Sequence, residues 1–274
     1  MSESLFDRYL QILGVNRESP GLKALSRLTR AHLKRVPFEN ISKLYHHRRS
    51  PLRSVLPLER FLEGIEKYNL GGTCYNNNYH LYRLLQSLGY RVKLCSADIS
   101  VEKAAPDSHM VSIVSLEEGE FIVDVGYAAP FWEPMPCFLA EDYVIELGYE
   151  KYILKPRQTD GRQHLELYRH GERKHGYLVK PEPRELRYFD EVIAGSFAEQ
   201  APFMNAVALV RFYDNGSTII RNLTLTQFSG RDSRTEMLAD AGALIEAIAD
   251  RFGIPGEISA EALSQLRQFR ALWG

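Results

Sequence analysis

Residues 71–78 have the sequence Gly-Gly-Thr-Cys-Tyr-Asn-Asn-Asn, and they separate two helical patterns. Residues 57–65, before them, predict a short helix with a proline in its first turn and apolar side chains on one face. Residues 79–88, after them, predict a longer helix with a leucine stripe that Gly89 ends. The glycine pair predicts a tight turn between the two. Cys74 is therefore predicted at, or just before, a helix N-terminus.

A cysteine at a helix N-terminus meets unpaired backbone N–H groups, which favour its thiolate form and make it a candidate nucleophile. The alternative interpretation of Cys74 is a small buried core residue. Cys95 lies in a strand pattern and Cys137 in a proline-flanked loop, so both are predicted to be structural. Three cysteines in 274 residues form no disulfide framework and suit a reducing compartment.

Composition narrows the functional classes. Hydrophobic residues make up 45% of the chain, charged residues 25%, and the net charge is −1, so no charge excess indicates nucleic acid or an anionic membrane as a partner. No apolar run is long enough to span a bilayer, and the first residues do not resemble a signal peptide. Without a Cys-x-x-Cys or His-x-x-x-His pair, no metal site is predicted. These patterns predict a cytoplasmic protein without a metal.

Hydrophobic periodicity divides the chain into three parts. Residues 1–90 predict helices, with apolar stripes over 5–13 and 22–33. Pro37 is expected to stop the second helix, and residues 36–41 are predicted to form a loop. Residues 91–190 predict an antiparallel barrel or sheet, since strand patterns recur from residue 90 to residue 179. Residues 191–274 predict a mixed unit. It contains a hairpin of strands 207–213 and 218–225, a helix over 238–248, a final helix capped by Ser259, and soft boundaries near 90 and 190.

A nucleophilic cysteine needs a base, and the base needs an acceptor that orients it. Among eight histidines, His109 stands out because it lies where an irregular segment enters a predicted strand. Asp124 lies in an otherwise apolar strand, where a carboxylate without a partner costs several kcal/mol. Capping a turn or pairing with an arginine is the alternative role for Asp124.

Hairpin geometry tests whether His109 and Asp124 can meet. A two-residue loop at 118–119 places Asp124 opposite Ile113, and a four-residue loop at 116–119 places it opposite Val111. In either register the two side chains share a face, and in the second they are diagonal neighbours. Cys74, His109 and Asp124 therefore form a candidate catalytic triad.

At these residues the sequence resembles the arylamine N-acetyltransferases. The resemblance rests on several short motifs in order: Val-Pro-Phe-Glu-Asn-Ile at 36–41, Gly-Gly-Thr-Cys at 71–74 with Asn78, His-Met at 109–110, Val-Asp-Val-Gly-Tyr at 123–127, and Pro-Phe at 202–203. Each motif alone is weakly specific, whereas their order and spacing over most of the chain are strongly specific.

The resemblance implies an α+β fold with a cysteine-protease-like Cys-His-Asp core. It comprises a helical domain at 1–90 carrying Cys74, a β-barrel domain at 91–190 carrying His109 and Asp124, and an α/β lid at 191–274. It also implies a ping-pong reaction in which acetyl-CoA acetylates Cys74 and an arylamine, hydrazine or hydroxylamine then accepts the acetyl group, as in xenobiotic metabolism.

The resemblance further assigns residues to ligands. Gly126 and Tyr127, in the loop after Asp124, are expected to help hold acetyl-CoA, and a glycine does admit the close approach of a ligand. Phe38 is expected in the acceptor pocket, where an aromatic wall suits a flat amine, and Phe203 is expected to contact the same substrate. An ordinary strand-ending glycine and a core phenylalanine are the alternatives for Gly126 and Phe38.

Two positions depart from the family pattern. The family usually has arginine just before the glycine pair, where this chain has Asn69 and Leu70, and glutamate two residues after the cysteine, where it has Asn76. We hypothesise that a buried ion pair was replaced as a unit, which leaves no unpaired charge. These departures concern the range of amines that the protein accepts. The related amide synthases, which share the triad but use other acyl donors, stay an alternative.

Two further interpretations use the same residues differently. A cysteine hydrolase, peptidase or transglutaminase-like enzyme needs the same triad, because thiol acylation and attack by water use the same groups. A binding protein on this fold would have little or no turnover. Consumption of a CoA thioester would indicate the acetyltransferase, and cleavage of a peptide or amide would indicate the hydrolase. Cys74→Ser identifies the binding protein, which would keep its ligand affinity and have no activity to lose.

Overall fold

The computed structural model describes residues 4–101, 104–230, 232–264, 266 and 269, and these form an α+β fold of helices around two antiparallel sheets. The fold class predicted from the sequence is confirmed. The helices within the described residues are α1 (Leu5–Leu13), α2 (Leu22–Arg35), α3 (Ile41–Arg49), α4 (Leu58–Tyr68), α5 (Cys74–Ser87), α6 (Asp190–Gly195), α7 (Ala241–Phe252) and α8 (Gly256–Leu263).

Helix α1 covers the predicted apolar stripe at 5–13, whereas α4 extends three residues beyond the predicted 57–65, to Tyr68. Ser4 caps α1 by accepting a hydrogen bond from the backbone N–H of Asp7, and Gly14 ends it in the left-handed conformation. The apolar faces of α1, α2, α4 and α5 meet in one core that includes Leu25, Phe61 and Leu84, all almost fully buried. This packing fixes the position of α5, which begins at Cys74.

The larger sheet has eight antiparallel strands, curved into a nearly closed barrel. Its order is β5-β4-β3-β2-β9-β8-β7-β6, so the two edge strands are those that would have to pair to complete it. The strands are β2 (Arg91–Ile99), β3 (His109–Leu116), β4 (Gly119–Val123), β5 (Met135–Pro136), β6 (Tyr143–Leu147), β7 (Glu150–Leu154), β8 (Gln163–Arg169) and β9 (Glu172–Arg184).

The smaller sheet pairs a short strand near residue 38 with four strands from the last third of the chain. β1 (Phe38–Glu39) pairs antiparallel with β10, in the order β1-β10-β11-β12-β13. The remaining strands are β10 (Ala208–Tyr213), β11 (Gly216–Arg221), β12 (Thr224–Ser229) and β13 (Asp232–Met237). Helices α7 and α8 cover this sheet through an apolar cluster that includes Leu209, Ile220 and Ile248. The segment 36–41, predicted as a loop, therefore contains a strand.

Two C-terminal predictions were wrong in detail. The predicted strand 218–225 is two strands, β11 and β12, because the chain turns at Asn222, which has a positive φ of 55°. The final helix begins at Gly256 after Pro255 rather than after Ser259, which is buried inside it. The division into units 1–90, 91–190 and 191–274 stays a prediction. In the ranges that the structure describes, no helix has the length and apolarity needed to cross a membrane.

Candidate active site

Cys74 is the first residue of α5 and is partly exposed, as a nucleophile must be. The two glycines before it are required by close packing rather than by turn geometry, since neither has a positive φ. A Cβ atom on Gly71 would lie 2.0 Å from the carbonyl oxygen of Pro37. Gly72 forms a bridge with Phe38, so strand β1 runs directly beside the segment that leads to the thiol.

Glu39 holds this arrangement from within the core. Its carboxylate is fully buried and accepts hydrogen bonds from the backbone N–H of Gly71 at 2.9 Å and of Ser42 at 2.8 Å. Burial raises the pKa of Glu39, while these backbone donors act to lower it. One side chain thus connects the glycine pair before Cys74 to the start of helix α3.

His109 and Asp124 meet across the β3–β4 hairpin. Ser112 pairs with Val123, and the register continues to place Asp124 opposite Val111, which is the second of the two predicted registers. His109 Nε2 lies 2.8 Å from Asp124 Oδ2, and both residues are almost fully buried. The prediction that the two side chains share a face is confirmed.

Asp124 is held by three hydrogen bonds. Besides His109, its other oxygen, Oδ1, accepts from Asn78 Nδ2 at 2.8 Å and from the backbone N–H of Gly126 at 2.9 Å. Asn78 also donates to the carbonyl of Met110 and accepts from the N–H of Val125. Because Asn78 lies one turn after Cys74 on α5, it ties the nucleophile helix to the strands that carry the histidine and the aspartate.

The electrostatics of the pair favour an imidazolium beside a carboxylate. Burial acts to lower the pKa of His109, but the charge and hydrogen bond of Asp124, with a smaller contribution from Cys74, raise it to about 10. Burial acts to raise the pKa of Asp124, yet His109, Asn78 and the Gly126 N–H bring it below its ordinary value. Since Nε2 faces Asp124, Nδ1 is the ring nitrogen left for the thiol.

A cavity of about 760 Å³ opens onto this pair. Of the seven residues predicted for the site, six line the cavity: Cys74, His109, Gly126, Tyr127, Phe38 and Phe203. The seventh, Asp124, is in contact with the buried side of His109. The structure thus brings all seven together, while their roles toward ligands stay predictions.

The predicted ligand contacts differ in what they offer. Phe38 and Phe203 meet edge to face, with ring centroids 5.7 Å apart, and form one aromatic corner of the cavity. The Tyr127 hydroxyl is 2.6 Å from His175 Nδ1, so it is engaged inside the barrel. A Cβ on Gly126 would lie 2.8 Å from the Cα of Cys74. Gly126 is therefore needed for packing against α5, whatever its part in binding.

Sequence reasoning missed Lys43, a buried lysine that lines the same cavity. It lies on α3, a helix that was not predicted because residues 36–41 indicated a loop. The sequence-based prediction also assigned Asn78 no role beyond its place in the family motif. The signal for Lys43 is a single charge in the otherwise uncharged run Ile-Ser-Lys-Leu-Tyr at 41–45.

The two departures from the family pattern each have a local role. Leu70 is buried in the apolar cluster under the smaller sheet. The Asn76 side chain accepts a hydrogen bond from the backbone N–H of Leu56 at 3.0 Å. Neither position holds a charge, and the hypothesis of a pair replaced as a unit stays a prediction. A gain in stability on Leu70→Arg alone would contradict it.

Comparison with known proteins gives a family match over most of the chain. A family model described as N-acetyltransferase matches residues 21–260. The arylamine N-acetyltransferase of Mycolicibacterium smegmatis is 24% identical over 257 residues, which cover 90% of each chain. The chicken pineal gland arylamine N-acetyltransferase isozyme NAT-3 is 28% identical over 159 residues, or 56% of this chain.

Other similarities are more partial or concern the fold. The Fusarium pseudograminearum N-malonyltransferase FDB2 is 33% identical over 151 residues, or 50% of this chain. The matched region spans about half of the chicken relative (52%) and less than half of the Fusarium relative (41%). The structure of the Mycobacterium marinum arylamine N-acetyltransferase in complex with CoA has the same fold. Its TM-score is 0.79 at 21% identity, over 95% of this chain and 99% of that one.

Proposed function

Because the chain belongs to the arylamine N-acetyltransferase family, we propose that it transfers an acetyl group from acetyl-CoA to an arylamine, hydrazine or hydroxylamine through Cys74. The observation that carries this proposal is the 2.8 Å contact of His109 with Asp124 beside the partly exposed thiol at the start of α5. A histidine oriented in this way can serve a thiol nucleophile in both halves of a ping-pong reaction.

In the first half-reaction, the Cys74 thiolate attacks the thioester carbonyl of acetyl-CoA. The C–S bond to CoA breaks, and the leaving thiolate takes the proton from His109 Nδ1. Acetyl-Cys74, free CoA and a neutral His109 result. Asp124 supports this step because it stabilises the imidazolium that must stand ready at the start.

In the second half-reaction, the amine nitrogen attacks the carbonyl of acetyl-Cys74. The nitrogen loses a proton to His109, the C–S bond breaks, and Cys74 leaves as a thiolate. The imidazolium is restored and the amide is released. The α5 N-terminus stabilises negative charge on the sulfur as it attacks and as it leaves, since backbone N–H groups at a helix N-terminus carry partial positive charge.

The cavity supports the two substrates in different ways. The edge-to-face pair of Phe38 and Phe203 offers an aromatic wall that suits a flat amine. Gly126 and Tyr127, which follow Asp124 and line the cavity, are the residues we assign to acetyl-CoA. The existence of a family structure in complex with CoA supports CoA as the carrier. Because one relative is named an N-malonyltransferase, other acyl groups are part of the test.

Intact-protein mass spectrometry after mixing with acetyl-CoA, without amine, tests this proposal. We expect one acetyl group on Cys74, located by peptide mapping, and its discharge when an arylamine or hydrazine is added. Cys74→Ala should take up no acetyl group. If Cys74 alkylates normally with iodoacetamide in folded protein and yet stays unacetylated, the acetyltransferase proposal is wrong. The amide synthase or hydrolase class then takes its place.

A further inference from the structure

The cavity contains one buried cation, Lys43, that the acetyl-transfer mechanism does not use. Its side chain lines the wall shared with Cys74, and the residue is only 6% exposed. Lys43 lies on α3, and its Nζ donates to Ser196 Oγ at 2.8 Å. The Ser196 hydroxyl donates its own proton to the carbonyl of Ile193, which fixes Lys43 as the donor in the first bond.

Lys43 has no carboxylate partner within the described part of the chain. The partly buried Lys93 and Lys180 each pair with a carboxylate at 3.0 Å or less, whereas Lys43 forms no ion pair there. Its Nζ also lies 3.5 Å from the centroid of the Phe197 ring, and this cation–π contact gives partial compensation. An ammonium group has three donors, so the serine leaves some of its capacity unused.

Such a position costs stability in the absence of a ligand. A buried charge without an opposite charge carries a large desolvation penalty. Burial lowers the pKa of Lys43 to about 7, and the charge of Cys74 acts in the opposite direction. A bound anion would restore the missing partner.

We propose that Lys43 is a specificity-determining residue that binds a carboxylate carried by a substrate of Cys74. This inference rests on the proposed acyl transfer through Cys74. The carboxylate belongs either to the acyl group, as in malonyl or succinyl thioesters, or to the acceptor amine, as in an aminobenzoate. It does not react: the thioester bond to CoA breaks and the bond to Cys74 forms as they do for acetyl.

Matched substrate pairs separate the two sources. In the donor arm, acylation of Cys74 is followed by mass spectrometry with malonyl-CoA against propionyl-CoA, and with succinyl-CoA against butyryl-CoA. In the acceptor arm, acetyl-CoA is the donor, and 4-aminobenzoate is compared with 4-aminobenzamide. The two members of each donor pair have the same number of acyl carbons, and the two acceptors have the same ring, so the carboxylate is the main difference.

The variants separate charge from structure. Lys43→Met removes the charge, Lys43→Arg keeps it, and Lys67→Met is the control for a lysine loss at the surface. We expect Lys43→Met to lower kcat/KM for the carboxylate-bearing member by roughly 10- to 100-fold in one arm, the size of a hydrogen bond to a charged group. The neutral member should change by less than about threefold, and Lys43→Arg should restore part of the loss.

Equal losses for both members of every pair would mean that Lys43 is only structural and would overturn the proposal. Lys43→Gln serves as the second uncharged variant if the methionine variant does not fold. If acetyl-CoA leaves Cys74 unmodified while malonyl-CoA or succinyl-CoA acylates it in a manner that depends on Lys43, the acetyl-transfer proposal fails and this one stands. No acylation by any of these donors would overturn both.

Discussion

Replacing Asp124 by asparagine should leave the protein folded and greatly slow the acetylation of Cys74. In the structure, Asp124 Oδ1 accepts from Asn78 and from the Gly126 N–H, and Oδ2 faces His109. An asparagine keeps the first two bonds only if its carbonyl oxygen takes the Oδ1 position. Its NH₂ group then donates to His109 Nε2, which must give up its proton. The remaining ring proton is then on Nδ1, which faces the thiol. Nδ1 therefore cannot accept the proton of Cys74.

The size of the expected decrease in rate follows from the raised pKa of His109. The surroundings raise the pKa of His109 from 6.5 to about 10 although burial acts to lower it, and most of that rise comes from Asp124. Such a difference corresponds to a proton held roughly 3,000-fold more tightly. We therefore expect Cys74 acetylation to slow by about 10³- to 10⁴-fold, in line with the loss of about 10⁴ measured when a serine-protease triad loses its aspartate.

The assay is rapid-quench mass spectrometry of the acetyl-enzyme in a single turnover with acetyl-CoA. The thermal unfolding temperature of Asp124→Asn should lie close to that of the unmodified protein. The bonds from Asn78 and the Gly126 N–H survive, and the third is kept with its direction reversed. Asp142→Asn, which breaks only a surface pair with Lys155, is the matched control and should leave the rate unchanged. Acetylation of folded Asp124→Asn within about tenfold of the normal rate would refute the tautomer argument.

Three other changes test the frame of the site. Gly126→Ala places a Cβ 2.8 Å from the Cα of Cys74 and should cost about 1–3 kcal/mol of unfolding free energy in urea, whereas Gly21→Ala, at an open position, should cost far less. Asn78→Ala leaves buried groups without partners and should cost about 3–5 kcal/mol in the same assay; a cost below about 1 kcal/mol would rule out its role as a tie. The folded pKa of His109 is raised, so its contribution to stability is complete below pH 6.5 and is lost as pH rises to about 10. The difference in unfolding free energy between the unmodified protein and His109→Gln should narrow over that range, and a constant difference would contradict the raised value.

The meeting of His109 with Asp124 could be predicted because strand geometry is local. Side chains alternate with period two, so both plausible loop lengths at residues 116–119 placed the two residues on one face. The turn occupies residues 117 and 118, with Leu116 paired to Gly119. Sequence alone could not choose between the registers, since they differ by two residues and a shift of two keeps every side chain on the same face.

The partners of residues 36–41 could not be predicted, because they are distant in the chain. Phe38 pairs with Val210, some 170 residues later in the chain, and a two-residue strand carries no periodicity of its own. A separation of 34 residues also hid the reason for Gly71, whose close neighbour is the Pro37 carbonyl. Lys43 escaped notice for a related cause, since its burial depends on a segment near residue 196.

The departures from the family pattern bear on the substrate more than on the triad. The frame around Cys74 is held by backbone N–H groups that donate to Glu39 and by neutral side chains, of which Asn78 is the most connected. Neither an arginine at position 70 nor a glutamate at 76 is needed for those bonds. Lys43 is a buried cation of the cavity wall that forms no ion pair with the described residues. It lies four residues after Glu39, on the helix that Glu39 helps to begin. A change of ligand preference can therefore arise at Lys43 while the geometry of Cys74 and His109 stays fixed.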